Sequence, residues 1–498
     1  MRPFHRMLIG TFSATVVFGL SQGPGAPLER APRDGGRPLD AMDSVARPGR
    51  VVASLSGKEA ARLELRPGEF YFRVGGKQAF VLGKNPVGKN AEEFGPLFDW
   101  AVESGERLVR IHVTTGPRPA AAPGEVDEAW ARRWDAVFDL AAEKGLAVLP
   151  VLAIWTDWND GARGELWHYW DKNRFNAASG GPARAPADLL ADTECRRLWL
   201  QWLEKMVRRW RDRDAILGWE VFSELNLITG ASEPAALEFT ERAAAVIRAA
   251  DSRPRPVTAS LAGIAQWSRL FESRALDFIQ IHPYAVPSPF DGNLDRMILE
   301  SVRERLRRYG KPVFIGESGL DARGPQRELV VAPRAEIGIR HAIWAAVVSG
   351  AMNGRMLWWE DGYDRFSGMD LRTRYKDASA AVARFVAGVD FAGFQPLDIQ
   401  APEDLFGAAI GNDRAALGWF RDARCLPPDW PTRLMEGACV DVSAPGDARQ
   451  WEVEFWDTAR GAALSKARIE REGQALRVSL PPFEDSIALK LTALLPAP

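Results

Sequence analysis

The sequence predicts an α/β chain: a (β/α)₈ barrel followed by a small C-terminal antiparallel β-sandwich. Two observations carry this. Between residues 67 and 391, eight short apolar runs alternate with stretches of helical period, the pattern of parallel strands joined by helical crossovers. From residue 392 to 498 the helical period vanishes and strand-like runs separated by turn residues replace it. A doubly wound open sheet is the structural rival. It would bring a Gly-rich phosphate fingerprint after an early strand, and the chain has none.

Taken in order, Arg2, His5 and Arg6 precede the apolar stretch 7–20, which has the length of a signal peptide and is short for a membrane span. Residues 1–22 are therefore expected to be an export signal or an N-terminal anchor, which places the protein in a secreted or periplasmic setting. Residues 23–66 are Pro/Gly-rich and read as a linker. Residues 70–85 predict a hairpin turning at Gly75-Gly76 and a first barrel strand ending at Asn85. The remaining strands are expected at 107–113, 146–155, 215–225, 256–261, 277–284, 311–318 and 354–362, with helices at 91–104, 127–144, 194–210, 234–250, 293–309 and 334–349. A long polar loop, 156–173, follows the third strand. No later segment is apolar enough to span a membrane.

Composition excludes several functions. A formal net charge of −2 gives no electrostatic case for nucleic acid or an anionic membrane surface. Five histidines with no H-x-H or H-E-x-x-H spacing argue against a metallohydrolase, and no metal or organic cofactor is implied. Cys425 and Cys439 lie close enough in sequence to pair in an oxidising compartment, and Cys195 reads as a small buried hydrophobe. Nineteen tryptophans against six tyrosines suit a carbohydrate cleft and suit a Trp-rich core equally. The expected partner is a polysaccharide or oligosaccharide, and a monomer is expected.

The chemistry lies at the strand ends, where barrels of this kind place their reactive groups. Glu224 ends the fourth run, ILGWEVFSE, and Glu317 ends the seventh, KPVFIGE. Two carboxylates on different strands are the minimum equipment for cleaving a glycosidic bond. The other strand ends supply Asn85, Arg110, His112, Trp155, His282, Tyr284, Trp358 and Trp359. Glu220 shares a strand face with Glu224 by period-two alternation and reads as a hydrogen-bonded interior carboxylate. His112 reads as a packing residue, while His168 and His341 read as structural or solvated. Trp155, Trp158, Trp167 and Trp170 fall in a polar loop without core periodicity, which favours stacking on sugar. Trp419, Trp451 and Trp456 fall within strands and read as sandwich core.

Together these residues resemble the clan A retaining glycoside hydrolases, closest to family 5, over roughly residues 70–390. The resemblance implies Glu224 as acid/base and Glu317, within Gly316-Glu317-Ser318-Gly319, as nucleophile. It further implies Arg110 as the cation that keeps the nucleophile ionised, His282-Pro283-Tyr284 as the strand-six pair, and Trp358 or Trp359 as the strand-eight sugar platform. The implied reaction is hydrolysis of β-linked glycans with retention of configuration, of cellulase or β-mannanase type. One position departs from the family: Ser223 stands where an Asn bonds the sugar 2-hydroxyl. Asn226 or Asn85 could compensate, and a non-catalytic polysaccharide binder or a transglycosylase on the same barrel is the alternative.

Overall fold

The computed structural model describes residues 63–494 apart from 116–117, 166, 192, 325, 360–370 and 445. The expected signal segment, most of the linker and the end of the eighth run lie outside the described residues. Leu63 is buried in the barrel core and Glu64 bridges to Arg73. The hairpin forms as expected: β1 (Phe72–Val74) pairs antiparallel with β2 (Lys77–Ala79). Gly75 and Gly76 between them adopt positive φ, +55° and +85°, which glycine takes without a Cβ penalty.

Eight parallel strands follow: β3 (Val81–Lys84), β4 (Leu108–His112), β5 (Ala147–Val151), β6 (Trp219–Glu220), β7 (Val257–Thr258), β8 (Ile279–Ile281), β9 (Val313–Ile315) and β10 (Asn353–Arg355). Regular pairing runs β10-β3-β4-β5-β6-β7 and β8-β9. Bridges Ser260 to Gln280 and Ser318 to Leu357 close the ring. The strands are buried almost throughout because the barrel interior covers one face and the helices cover the other. Helices α1 (Ala91–Glu103), α2 (Glu128–Glu143) and α3 (Glu194–Trp210) start where Asn90, Asp127 and Thr193 accept the N–H of Glu93, Trp130 and Arg196. Each such cap satisfies a backbone donor the helix leaves unpaired. The outer layer continues with α4 (Glu233–Ala250), α5 (Ser268–Glu272), α6 (Leu294–Tyr309), α7 (Glu328–Val331), α8 (Ala335–Ser349) and α9 (Leu371–Val386). α5 and α7, at five and four residues, are too short to leave a helical period in the sequence.

The C-terminal region forms one continuous nine-stranded antiparallel sheet, which corrects the two-sheet sandwich expected from the sequence. Its order is β11 (Gln395–Leu397), β13 (Leu405–Gly411), β14 (Ala415–Asp422), β19 (Ser486–Leu494), β16 (Gln450–Asp457), β17 (Ala462–Glu472), β18 (Ala475–Ser479), β15 (Cys439–Ser443) and β12 (Ile399–Gln400). β17 joins the two halves, pairing with β16 along most of its length and with β18 only at Arg471 and Glu472. β11 and β12, at opposite ends of this order, are separated in the chain by Asp398 alone, so the sheet curls into a nearly closed barrel. Closure of this kind removes exposed strand edges. Trp451 lies in its interior, and Trp456 packs edge-on against Phe385 of α9.

Helix α8 is buried on nearly every face because the barrel covers one side and this sheet the other. Trp419 inserts into the barrel core, and His341 Nε2 lies 2.6 Å from Asp485 Oδ1 across the junction. Arg340 also bonds Asp485, and Arg421 pairs with Asp295 at 2.6 Å in a buried contact. The C-terminal sheet is thus packed as part of the barrel's support. Cys425 and Cys439 are both free thiols, and Cys439 Sγ instead lies 3.3 Å from Ser479 Oγ. Among the described residues no helix is long and apolar enough to cross a membrane.

Candidate active site

The C-terminal ends of the barrel strands converge on Arg110. Its side chain, wholly buried on β4, gives Nε and Nη2 to the two oxygens of Glu220 at 2.6 and 2.8 Å. Nη2 also reaches Ser223 Oγ at 2.9 Å, and Nη1 donates to Glu317 Oε1 at 2.8 Å and Asn85 Oδ1 at 3.2 Å. One guanidinium therefore orients residues from three other strand ends, those of β3, β6 and β9. Its planar fork suits this bidentate geometry in a way lysine could not match. Glu220 is the interior carboxylate expected from its register, and it also accepts from Ser260 Oγ at 3.1 Å.

Glu317 receives a second donor, Tyr284 Oη, on Oε2 at 2.8 Å. Gly316 is needed beside it, because a Cβ there would lie 2.7 Å from the Gln280 side chain. Glu224 sits opposite in the left-handed region, φ +65° and ψ +55°, a conformation that costs a non-glycine residue on the order of 1–3 kcal/mol. Ser260 holds it there: its Oγ accepts the Glu224 N–H at 3.0 Å and its carbonyl takes the next N–H, from Leu225, at 3.0 Å.

Burial pushes the Glu224 carboxyl up to about 7; Arg110 opposes this, Glu220 adds to it, and a hydrogen bond from Trp155 opposes it. His282 Nδ1 lies 2.9 Å from Glu224 Oε1. Burial depresses this imidazole to about 4, so it is neutral near pH 7. With the Gln280 amide nitrogen facing His282 Nε2 at 3.4 Å, that ring nitrogen accepts and Nδ1–H donates to Glu224. The proton on Glu224 is then left to the oxygen that does not take this bond.

The other expected residues divide by what they touch. Asn85 donates to the carbonyls of Gly316, Met356 and Leu357, tying β3 to the ends of β9 and β10. Asn226 accepts the Ala262 N–H at 2.8 Å and supports the loop after β7. Asn85, with its amide on those carbonyls and its Oδ1 on Arg110, does not take over the position left by Ser223. His112, expected as packing, stacks on Trp358 at 4.8 Å with Nε2 3.7 Å from Glu317 Oε1. Neither of its ring nitrogens has a hydrogen-bond partner among the described residues, and burial holds it well below the usual histidine range.

The loop tryptophans also divide. Trp158 and Trp170 stack on each other at 5.6 Å and are buried, which corrects their expected role as sugar platforms. Trp155 is turned to Glu224, while Trp167 stacks on Trp359 at 5.3 Å. His168 is exposed in the loop, as expected. Ser260 and Gln280 were missing from the expected site; the strand-end pattern of PVTASL pointed to Ser260, whereas nothing local marked Gln280.

Single ligand atoms of Glu224, His282 and Glu317 lie within 4.8 Å of one another. A cation bound there would face Arg110, already bonded to Glu317, which makes the triangle a poor metal site. What it offers is a carboxyl raised to about 7 by burial, beside a second carboxyl held by a guanidinium and a phenol.

The sequence model for cellulase, glycosyl hydrolase family 5, matches residues 96–349, just over half of the chain. A solved glycoside hydrolase structure is similar with a TM-score of 0.61 at 13% identity, covering 87% of this chain and 97% of that one. A family 5 glycoside hydrolase from Bacteroides vulgatus ATCC 8482 is similar at 0.59 and 12% identity, covering 87% and 94%. A search of curated proteins finds no match.

Proposed function

The chain belongs to glycosyl hydrolase family 5, and from that premise we propose that it hydrolyses β-linked glycans with retention of configuration. The observation that carries the reading is the carboxylate spacing. An oxygen of Glu224 lies within 4.8 Å of one of Glu317, so the two carboxyls face one small space, as an acid/base and a nucleophile acting on the same anomeric carbon must.

In the first step a Glu317 oxygen attacks the anomeric carbon. The glycosidic C–O bond breaks, and the Glu224 proton passes to the departing oxygen. In the second step the Glu224 carboxylate takes a proton from water as that oxygen attacks the anomeric carbon, and the ester to Glu317 breaks. Arg110 and Tyr284 hold the Glu317 oxygens throughout. A Glu224 carboxyl near 7 is protonated often enough to act as acid and releases its proton readily enough to act as base. A 2-fluoro glycoside of the right sugar should therefore form a stable ester on Glu317, found by mass spectrometry of the digested protein. Labelling elsewhere, or none with gluco, manno and xylo reagents alike, contradicts this mechanism.

A pure polysaccharide binder has no use for a proton donor facing a nucleophile, and a transglycosylase would use the same pair with a sugar as acceptor. Export follows from the N-terminal segment, Arg2 to Leu20, and belongs to the same proposal. So does action as a monomer.

Ser223 supplies a finer expectation. Its Oγ is buried against Arg110, so an asparagine there could keep that contact through Oδ1 and offer its amide to the sugar. Ser223→Asn is expected to raise kcat/KM by about two- to tenfold, the worth of a neutral hydrogen bond of roughly 0.5–1.5 kcal/mol. The measurement is made on an aryl glycoside that the wild type cleaves. A fall instead would mean a pocket shaped for a substituted sugar.

A further inference from the structure

Which way a bound glycan runs follows from the two glutamates. The leaving oxygen must lie beside Glu224, the proton donor at the end of β6. The sugar that stays behind then lies over Glu317, whose Oε1 is 3.7 Å from His112 Nε2. Any further sugar toward the non-reducing end would have to pass beyond these, across the rim above β3 and β4.

That rim is closed. Trp167 comes from the loop after β5 and Trp359 from the end of β10, two strand ends separated around the ring by β3 and β4. Their ring centroids nevertheless lie 5.3 Å apart, the planes inclined by 40°. With Val87, Tyr284, Trp358 and Ala322 they form an apolar cluster of their own, separate from the barrel core. Trp358 and Trp359 are left only 8% and 6% exposed. Little of the Trp358 or Trp359 indole is therefore left for a second or third sugar to stack on.

Building on the hydrolase reading, we propose that the enzyme is exo-acting: it accepts one sugar beyond the scissile bond and releases monosaccharides from the non-reducing ends of β-linked chains, with Trp167 against Trp359 as the wall that ends the site.

The test uses the full chain, a panel of 4-nitrophenyl β-monoglycosides, and short gluco-, manno- and xylo-oligosaccharides tagged at the reducing end. A second set carries a ketal on the non-reducing sugar. The expected result is hydrolysis of at least one monoglycoside, tagged products shortened by one sugar at a time, and ketal-blocked chains cleaved at least about 100-fold more slowly than free ones. Trp167→Ala should raise the rate on blocked chains relative to free ones by about tenfold or more. Tagged products of every length from the wild type, equal rates on blocked and free chains, or no gain in Trp167→Ala would each overturn the exo proposal while leaving the hydrolase reading intact. No hydrolysis of any substrate, with Glu317 unlabelled by 2-fluoro glycosides, would overturn both.

Discussion

Glu317→Gln is expected to lower kcat by on the order of 10⁴- to 10⁶-fold on every substrate, good and poor leaving groups alike. The amide is nearly isosteric, so the Tyr284 hydroxyl keeps an acceptor, but its nitrogen is a poor nucleophile and the glycosyl ester cannot form. The fold should hold, because Arg110 keeps its bidentate pair with Glu220 and its bonds to Ser223 and Asn85. Circular dichroism and the melting temperature should therefore stay close to the wild type while turnover disappears. An activity loss that depends on the leaving group, or a melting point that falls in step with activity, would remove Glu317 from the nucleophile's role.

The contrast with Arg110 shows why the isosteric change is the informative one. Arg110 bonds two buried carboxylates at once, and removing it leaves both without a counter-charge in the interior. Losing one partner of a buried ion pair costs on the order of 3–5 kcal/mol. Its loss would mix folding with catalysis, whereas a change at Glu317 separates them.

Strand-end reasoning reached Glu224, Glu317, Arg110, His282 and Tyr284 because a parallel barrel projects such residues to one rim, and an apolar run that stops at a polar side chain is visible in one dimension. The residues it missed act through geometry. Ser260 matters because its hydroxyl and carbonyl both grip the backbone around Glu224, and nothing in PVTASL declares that pairing. Trp158 and Trp170 looked like platforms because their loop has no core period. They turn inward within short 3₁₀ turns that pack on Phe175. The curled sheet escaped for a related reason. Each strand is visible by itself, but the double pairing of β17 that makes one sheet of two is a long-range register, and local alternation does not encode it.

Glu224→Ala should have the second largest effect, and its dependence on the substrate is what identifies the role. With a poor leaving group such as a second sugar, loss of the proton donor is expected to slow turnover by about 10²- to 10⁴-fold. With 2,4-dinitrophenyl glycosides the first step needs little protonation, so formation of the Glu317 ester should be nearly unaffected and its breakdown becomes limiting. Azide needs no general base to attack that ester, so it should restore turnover and give the β-glycosyl azide, the anomer that retention demands. The pH profile carries an independent sign. Wild-type kcat/KM on natural linkages should fall as pH rises through about 7, because the acid form of Glu224 is the reactive one and burial sets its carboxyl there. In Glu224→Ala that alkaline limb should vanish. Equal losses on good and poor leaving groups, no response to azide, or an alkaline limb that survives the substitution would each assign the proton to another group, and His282, 2.9 Å away, would be the first to examine.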